Sequence, residues 1–377
     1  MTKSLSRPLP LQGIKVLDFS TLLPGPVCSL LLAESGAEVI KVERPQGGDE
    51  MRSYVPKAGE DSGNFVILNR GKQSIAVDLK DPAVIAKLTP LIQECDVILE
   101  QFRPGVMDRL GLGYEALKAI NPRIIYCAIT GFGQTGPDAL VAAHDLNYVA
   151  QTGMLSLVSD SNGHPALPPA LIADIAGGAY PAFSNILLAL RQRELTGEGS
   201  FLDISMSDNL FTFMYWVIAE QQLNGKSPST SSSLVTGGTP RYQIYKTSDG
   251  RFLAAAPLED KFWNNFCDLI QLDPIYREAS CSAKIATDAI AQIILKKTAA
   301  QWESIFSGHD VCTVIVKTFD EALQSKHFAS RGIFNRSIDY KNGQMMALPI
   351  PIVDSLRRQD ENLNSPLLGE HTKKILG

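Results

Sequence analysis

Paired cysteines, long apolar runs and surplus positive charge are all missing from this 377-residue sequence. Its six cysteines (Cys28, Cys95, Cys127, Cys267, Cys281, Cys312) are scattered, with no C-x-x-C pair. Such spacing fits free thiols in a reducing compartment better than a disulfide framework, and it removes the usual zinc-site pattern, so no metal is expected. No apolar stretch reaches the length of about 18 residues that a membrane span needs. Residues 1–12 are polar and contain proline, unlike a signal peptide. A soluble, cytoplasmic protein with no membrane partner is therefore expected. Lys and Arg number 35 against 40 Asp and Glu, for a net charge of -5, which argues against a nucleic-acid partner. An anionic small molecule stays compatible, because a local basic cluster matters more than the total.

What is present is alternation. Residues 14–19, 38–42, 74–77, 96–99 and 123–130 read as short strands. Helical patterns between them, at 27–34, 84–94 and 115–120, favour right-handed βαβ units and a parallel sheet. Pro90 should kink or shorten the second of these helices. A helical pattern spans 175–195, with Pro181 marking where the regular part begins, and another spans 208–223. Residues 224–240, rich in Ser, Thr and Gly, read as a linker or mobile loop. Beyond it, 241–246 and 252–256 flank Ser248-Asp249-Gly250 as a hairpin, and 260–270 and 285–306 read as helices. The fold class is therefore α/β: a Rossmann-like large domain with a parallel sheet, plus a smaller α+β domain. The expected division is a large domain at 1–200, a linker at 201–240, a small domain at 241–330 and a return segment at 331–377.

Gly131-Phe132-Gly133-Gln134-Thr135-Gly136 matches the dinucleotide fingerprint G-x-G-x-x-G and follows a strand. Its context is weak, since Pro137 follows at once and the preceding strand is the last of the βα series. Asp160 lies at a tolerable distance for a ribose contact, so NAD stays a minor alternative. The glycines read better as a turn that lets backbone approach a ligand.

Several segments together resemble the class III CoA-transferase superfamily, which also contains the α-methylacyl-CoA racemases. They include Leu11-Gln12-Gly13-Ile14-Lys15-Val16-Leu17-Asp18, Gly36-Ala37-Glu38-Val39-Ile40-Lys41-Val42-Glu43 and Asn69-Arg70-Gly71-Lys72. Further on they include Phe102-Arg103-Pro104-Gly105-Val106, His144-Asp145-Leu146-Asn147-Tyr148 and Ala173-Asp174-Ile175-Ala176-Gly177-Gly178. The resemblance covers nearly the whole chain and is strongest to the racemase branch. It implies an acyl-CoA substrate, no cofactor beyond that CoA, and an interlocked homodimer of the class III CoA-transferase type.

By the same resemblance Asp174 is the catalytic aspartate, a proton carrier in racemases and a nucleophile in transferases. His144 corresponds to the racemases' second proton carrier, and Glu259 to the glutamate that orients it. Inverting a carbon α to a thioester needs a proton removed from one face and another returned to the other, so two acid/base groups should flank it. Backbone N–H groups at 175–178 are expected to receive the enolate oxygen. Taken singly, Asp174 would read as a helix cap, His144 as a buried structural histidine, Glu259 as a helix-start acid and Asp145 as a cap or structural partner. For the CoA phosphates the candidates are Lys41, Arg70, Lys72, Lys80 and Arg103, with Tyr148 along the pantetheine arm. Three features depart from the racemase pattern: the charged loop 47–64, Ala176 where racemases often have glycine, and the lack of proline in 311–316. Racemisation is the leading expectation; CoA transfer through an acyl anhydride on Asp174 is the alternative.

Overall fold

The computed structural model describes residues 7–160, 162–278, 280–340, 343–359 and 363–377. The chain divides into two compact units. One holds the residues up to Thr152, Pro168–Phe213 and Ala329–Gly377; the other holds Gly153–Leu167 and Met214–Phe328. Among the described residues no helix is long and apolar enough to cross a membrane.

The first unit is built on six parallel strands: β1 (Lys15–Asp18), β2 (Glu38–Glu43), β3 (Gln73–Ala76), β4 (Val97–Glu100), β5 (Ile125–Thr130) and β6 (Ser200–Ser205). Their spatial order is β3-β2-β1-β4-β5-β6, the doubly wound Rossmann order. Both faces are covered, which is why the central strands read as near-continuous apolar runs. Leu17, Ile40, Ile75, Ile98 and Tyr126 face one core layer with Leu88, Ile92 and Leu117 from the covering helices. On the other face lies α1 (Pro24–Glu34), all eleven residues of which are buried. Its Leu30-Leu31-Leu32-Ala33 run suits a helix enclosed all round.

Four features differ from the sequence expectation. The stretch 201–240 is not a plain linker, because β6 pairs along its length with β5 and a helix follows at Met206–Leu210. The segment Gly153–Leu167 groups with the second unit, not the first. The helix Pro82–Glu94 runs through Pro90; the carbonyl that Pro90 leaves without an N–H belongs to Ala86, which is exposed and open to water. The expected helix at 208–223 breaks into Met206–Leu210, a 3₁₀ turn at Phe211–Met214, and Tyr215–Asn224.

The return segment is tied to the first unit by buried polar contacts. Arg70 pairs with Glu34 at 2.6 Å and donates to the Leu348 carbonyl, while Arg336 reaches the other oxygen of Glu34. Arg52 pairs with Glu43 at 2.7 Å and donates to the Pro366 carbonyl.

The second unit has an antiparallel sheet of β7 (Gln243–Lys246), β8 (Phe252–Ala255) and β9 (Thr313–Ile315), with β8 central. The hairpin turns at Ser248-Asp249-Gly250, where Gly250 has φ +78°, a conformation that suits glycine. Helices Asp260–Leu269, Ala283–Ile294 and Ala299–Phe306 pack Trp263, Phe266, Ile290 and Trp302 against it. The single helix expected at 285–306 is two, because Thr298 and Gln301 form a capping box that starts a new one.

Candidate active site

In a doubly wound sheet the connections leave in opposite directions on either side of β1 and β4, which opens a crevice beyond their C-terminal ends. A cleft of about 590 Å³ lies there. Its walls are Leu22 and Pro24 after β1, Gln101 to Pro104 after β4, Thr130 to Phe132 after β5, and Met206 after β6. His144 and Asp174 line the same space.

Asp174 sits on a π-helical turn, Ala173–Ala179, that leads into the helix Tyr180–Thr196. Its carboxyl is pushed up to about 7, first by burial and then by the charge of Asp145. Asp145 is itself buried, and its Oδ1 accepts the Asp174 N–H at 2.9 Å. So Asp145 caps the π-turn, whereas the N-cap of its own helix Asp145–Gln151 is His144. Two carboxylates held this close cannot both ionise freely, and the less hydrogen-bonded one keeps its proton to higher pH.

His144 begins that helix, with its backbone N–H donating to Asn147 Oδ1 at 3.0 Å and its ring exposed at the cleft. It is therefore not the buried structural histidine that it would be on its own. Tyr148, one turn on, is buried; its hydroxyl donates to the Ala143 carbonyl at 2.9 Å and its ring meets Phe132 edge-on. Burial pushes that phenol up to about 12. A Cβ on Gly131 would fall 2.3 Å from the Tyr148 ring, so the glycine turn exists to admit the tyrosine. No helix starts on the glycine motif; the next one begins at Asp145. The dinucleotide fingerprint thus lacks the helix N-terminus that would hold a pyrophosphate.

The sequence profile of CoA-transferase family III matches residues 11–372. The chain belongs to CoA-transferase family III. It is 36% identical to human alpha-methylacyl-CoA racemase over 97% of this chain and 92% of the relative. It is 31% identical to human succinyl-CoA:glutarate CoA-transferase over 97% of this chain and 85% of that one. Among solved structures, a CAIB/BAIF family protein from Brucella suis superimposes with a TM-score of 0.83 at 29% identity, covering 98% of this chain and 99% of the other.

Within this family III chain the basic residues expected to meet phosphate divide sharply. Lys41 is not at the surface: β1 and β2 pair Asp18 with Lys41, and the ammonium lies buried at 2.9 Å from Asp49 Oδ2 and 2.7 Å from the Ser20 carbonyl. Lys72 is also buried, donating to Asn69 Oδ1 at 2.8 Å and standing 3.6 Å from Asp18; burial lowers it to about 7. Arg70 is locked to Glu34. These three are interior charges that neutralise Asp18, Asp49 and Glu34, so they are corrected from ligand contacts to structural partners. Lys80 is exposed on the turn after β3 and does not line the cleft. Arg103 is exposed and does line it, beside Gln101 and Phe102.

Glu259 stands at the N-terminal boundary of the helix Asp260–Leu269 on the second unit, exposed and without a side-chain capping hydrogen bond. The expected oxyanion donors are partly engaged, since the Ile175 N–H bonds the Leu171 carbonyl at 3.2 Å. Met206 was missed as a cleft residue because strand β6 was missed. Ser205, whose side chain accepts from the Asp208 N–H, was the available signal for that helix start.

Proposed function

We propose that this family III enzyme is a 2-methylacyl-CoA racemase that inverts the α-carbon by proton transfer through an enolate. The observation that carries the reading is one cleft lined by both His144 and an Asp174 whose carboxyl is raised to about 7. A proton carrier works best when its pKa lies near the working pH. One member takes the α-proton, the thioester oxygen gains the charge, and the other member returns a proton to the opposite face. The substrate's CoA is the only cofactor in the reaction as written. The higher identity to a racemase supports this reading.

CoA transfer through Asp174 is the second reading, favoured by the transferase relatives and the charged 47–64 loop. Proton NMR of (R)- and (S)-2-methylacyl-CoA in deuterated water separates the two. Deuterium uptake with epimer formation supports racemisation. CoA passing to added carboxylic acids without α-exchange would overturn it.

Arg103 is the remaining exposed cation of the original set that lines the cleft, and we assign it to a CoA phosphate. A charge-assisted hydrogen bond contributes about 1.5–3 kcal/mol. Arg103→Ala should therefore weaken CoA binding by about tenfold or more in calorimetry, and by less in high salt. Unchanged affinity would remove Arg103 from the site.

We take the assembly to be an interlocked homodimer. In support, the helix Tyr215–Asn224 buries none of its residues within the described chain, although it carries Tyr215, Ile218 and Leu223. Exposed apolar surface on this scale marks an interface. Sedimentation should give twice the chain mass of 41.0 kDa; a monomer that turns over substrate would contradict this.

A further inference from the structure

The turn that carries Asp174 is irregular for a reason visible in the sequence. Pro181 stands four residues after Gly177, so the N–H that would close an α-turn on the Gly177 carbonyl does not exist, and the proline ring crowds that carbonyl. The chain responds by widening: Ala173–Ala179 is π-helical, and the Tyr180 N–H reaches back five residues to the Ile175 carbonyl. Single π-turns inside helices recur at functional sites because they re-aim a side chain.

The Gly177 carbonyl is then met from outside the helix. Asn209 Nδ2 donates to it at 2.8 Å. Asn209 sits on the helix Met206–Leu210, whose Met206 lines the cleft and whose Ser207 N–H donates to the Gly131 carbonyl at 3.0 Å. This short helix thus touches the glycine turn on one side of the cleft and the Asp174 turn on the other. The approach is close. A Cβ on Gly177 would lie 2.4 Å from the Met206 carbonyl oxygen, and one on Gly178 would lie 3.0 Å from Met206 Cγ.

We infer that Asn209 is a positioning residue: its amide clamps the proline-imposed π-turn and so holds the Asp174 carboxyl in the cleft. The kinetic consequence rests on the proton-transfer reading given above; the structural consequence does not. The competing view is that the Asn209–Gly177 bond merely helps two helices pack.

Two measurements on the full-length protein separate these views, using Asn209→Ala, Asn209→Asp and Pro181→Ala. Asn209→Asp keeps the shape but, when ionised, cannot donate to the carbonyl. Pro181→Ala restores the missing N–H and lets the turn close as a regular helix. The first measurement is the kinetics of α-proton exchange on 2-methylacyl-CoA. The second is the carboxyl ¹³C titration of Asp174 in the ligand-free protein, assigned with Asp174→Asn.

A misplacement of about 1 Å at a reacting group can cost about 10²-fold. Asn209→Ala and Asn209→Asp should accordingly lower kcat by about tenfold or more with a smaller change in KM. The Asp174 titration midpoint should also move away from its wild-type position near 7. Pro181→Ala should lower kcat while keeping or raising the thermal midpoint, a combination that a purely structural bond does not produce. Variants that melt earlier but keep both kcat and the Asp174 midpoint would overturn the inference. If the wild-type enzyme shows no exchange, the racemase reading fails, yet the titration still decides: a shifted midpoint supports the clamp and an unshifted one removes it. Should Asn209→Ala not fold, Asn209→Asp and Pro181→Ala carry the same two readouts.

Discussion

Replacing Asp174 with asparagine is expected to slow α-proton exchange by about 10²–10⁴-fold, the range that one positioned acid/base group contributes. His144→Gln should fall in the same range. Because the two act as a unit, the double variant should be little worse than either single one. On the proton-transfer reading proposed above the competent free enzyme carries one proton on the pair, so kcat/KM should follow a bell in pH, with one limb near 7 from Asp174. Both epimers must give the same bell, since the enzyme cannot alter their equilibrium. Stability moves the other way. The folded Asp174 holds a proton up to about pH 7, whereas the unfolded carboxyl releases it in the ordinary carboxylate range. The native state therefore binds the extra proton between those limits, and stability falls as pH rises through that window. Asp174→Asn should melt higher than wild type at pH 8 and nearly together with it at pH 4. A variant that loses activity without that gain would mean the carboxyl is not strained by its burial. Retained exchange would remove Asp174 from proton transfer altogether.

How much of this was legible in the sequence depended on whether the signal was local. The first five strands carry apolar runs such as Val39-Ile40-Lys41-Val42, buried on both faces, so composition alone marks them. The sixth strand, Ser200–Ser205, lies at the sheet edge with Phe201 partly exposed and two serines at its ends, and its apolar signal is too thin to separate from loop. His144 and Asp174 were legible as a pair through the family pattern, and they do line one cleft. Lys41, Arg70 and Lys72 were misread because charge is visible in a sequence whereas strand register is not. Only the pairing of Asp18 with Lys41 shows that the lysine faces a buried carboxylate. Pro181 announced an irregular turn, but the amide that satisfies the Gly177 carbonyl comes from Asn209, 32 residues beyond that glycine. Non-local partners of this kind are what a linear reading loses.

The same register makes Lys41→Met strongly destabilising, by about 3–5 kcal/mol, the cost of breaking a buried ion pair from one side. The ammonium is fully enclosed and serves several groups at once: Asp49, the Ser20 carbonyl and the nearby Asp18. Methionine fills the volume but leaves Asp49 in the interior without its paired cation and removes one of the two positive charges that act on Asp18. Lys72 compensates poorly, being lowered by burial to about 7 and 3.6 Å from Asp18. The pH dependence identifies the cause. In the wild type the charges of Lys41 and Lys72 hold Asp18 below the ordinary carboxylate range against its burial. That contribution is complete above the unfolded pKa and lost as pH falls through the folded one. In urea titrations the stability gap between wild type and variant should therefore hold from pH 7 down to the ordinary carboxylate range and narrow below it. The damage should also reach the cleft. Asp49 Oδ1 accepts the N–H of Leu22, a cleft residue held at φ +62°, a conformation that a leucine adopts only when its surroundings impose it. Loosening Asp49 frees that wall, so CoA binding should weaken at temperatures where the variant is still folded. A Lys41→Met protein as stable as wild type at pH 7 would show that the interior tolerates these carboxylates without their lysine.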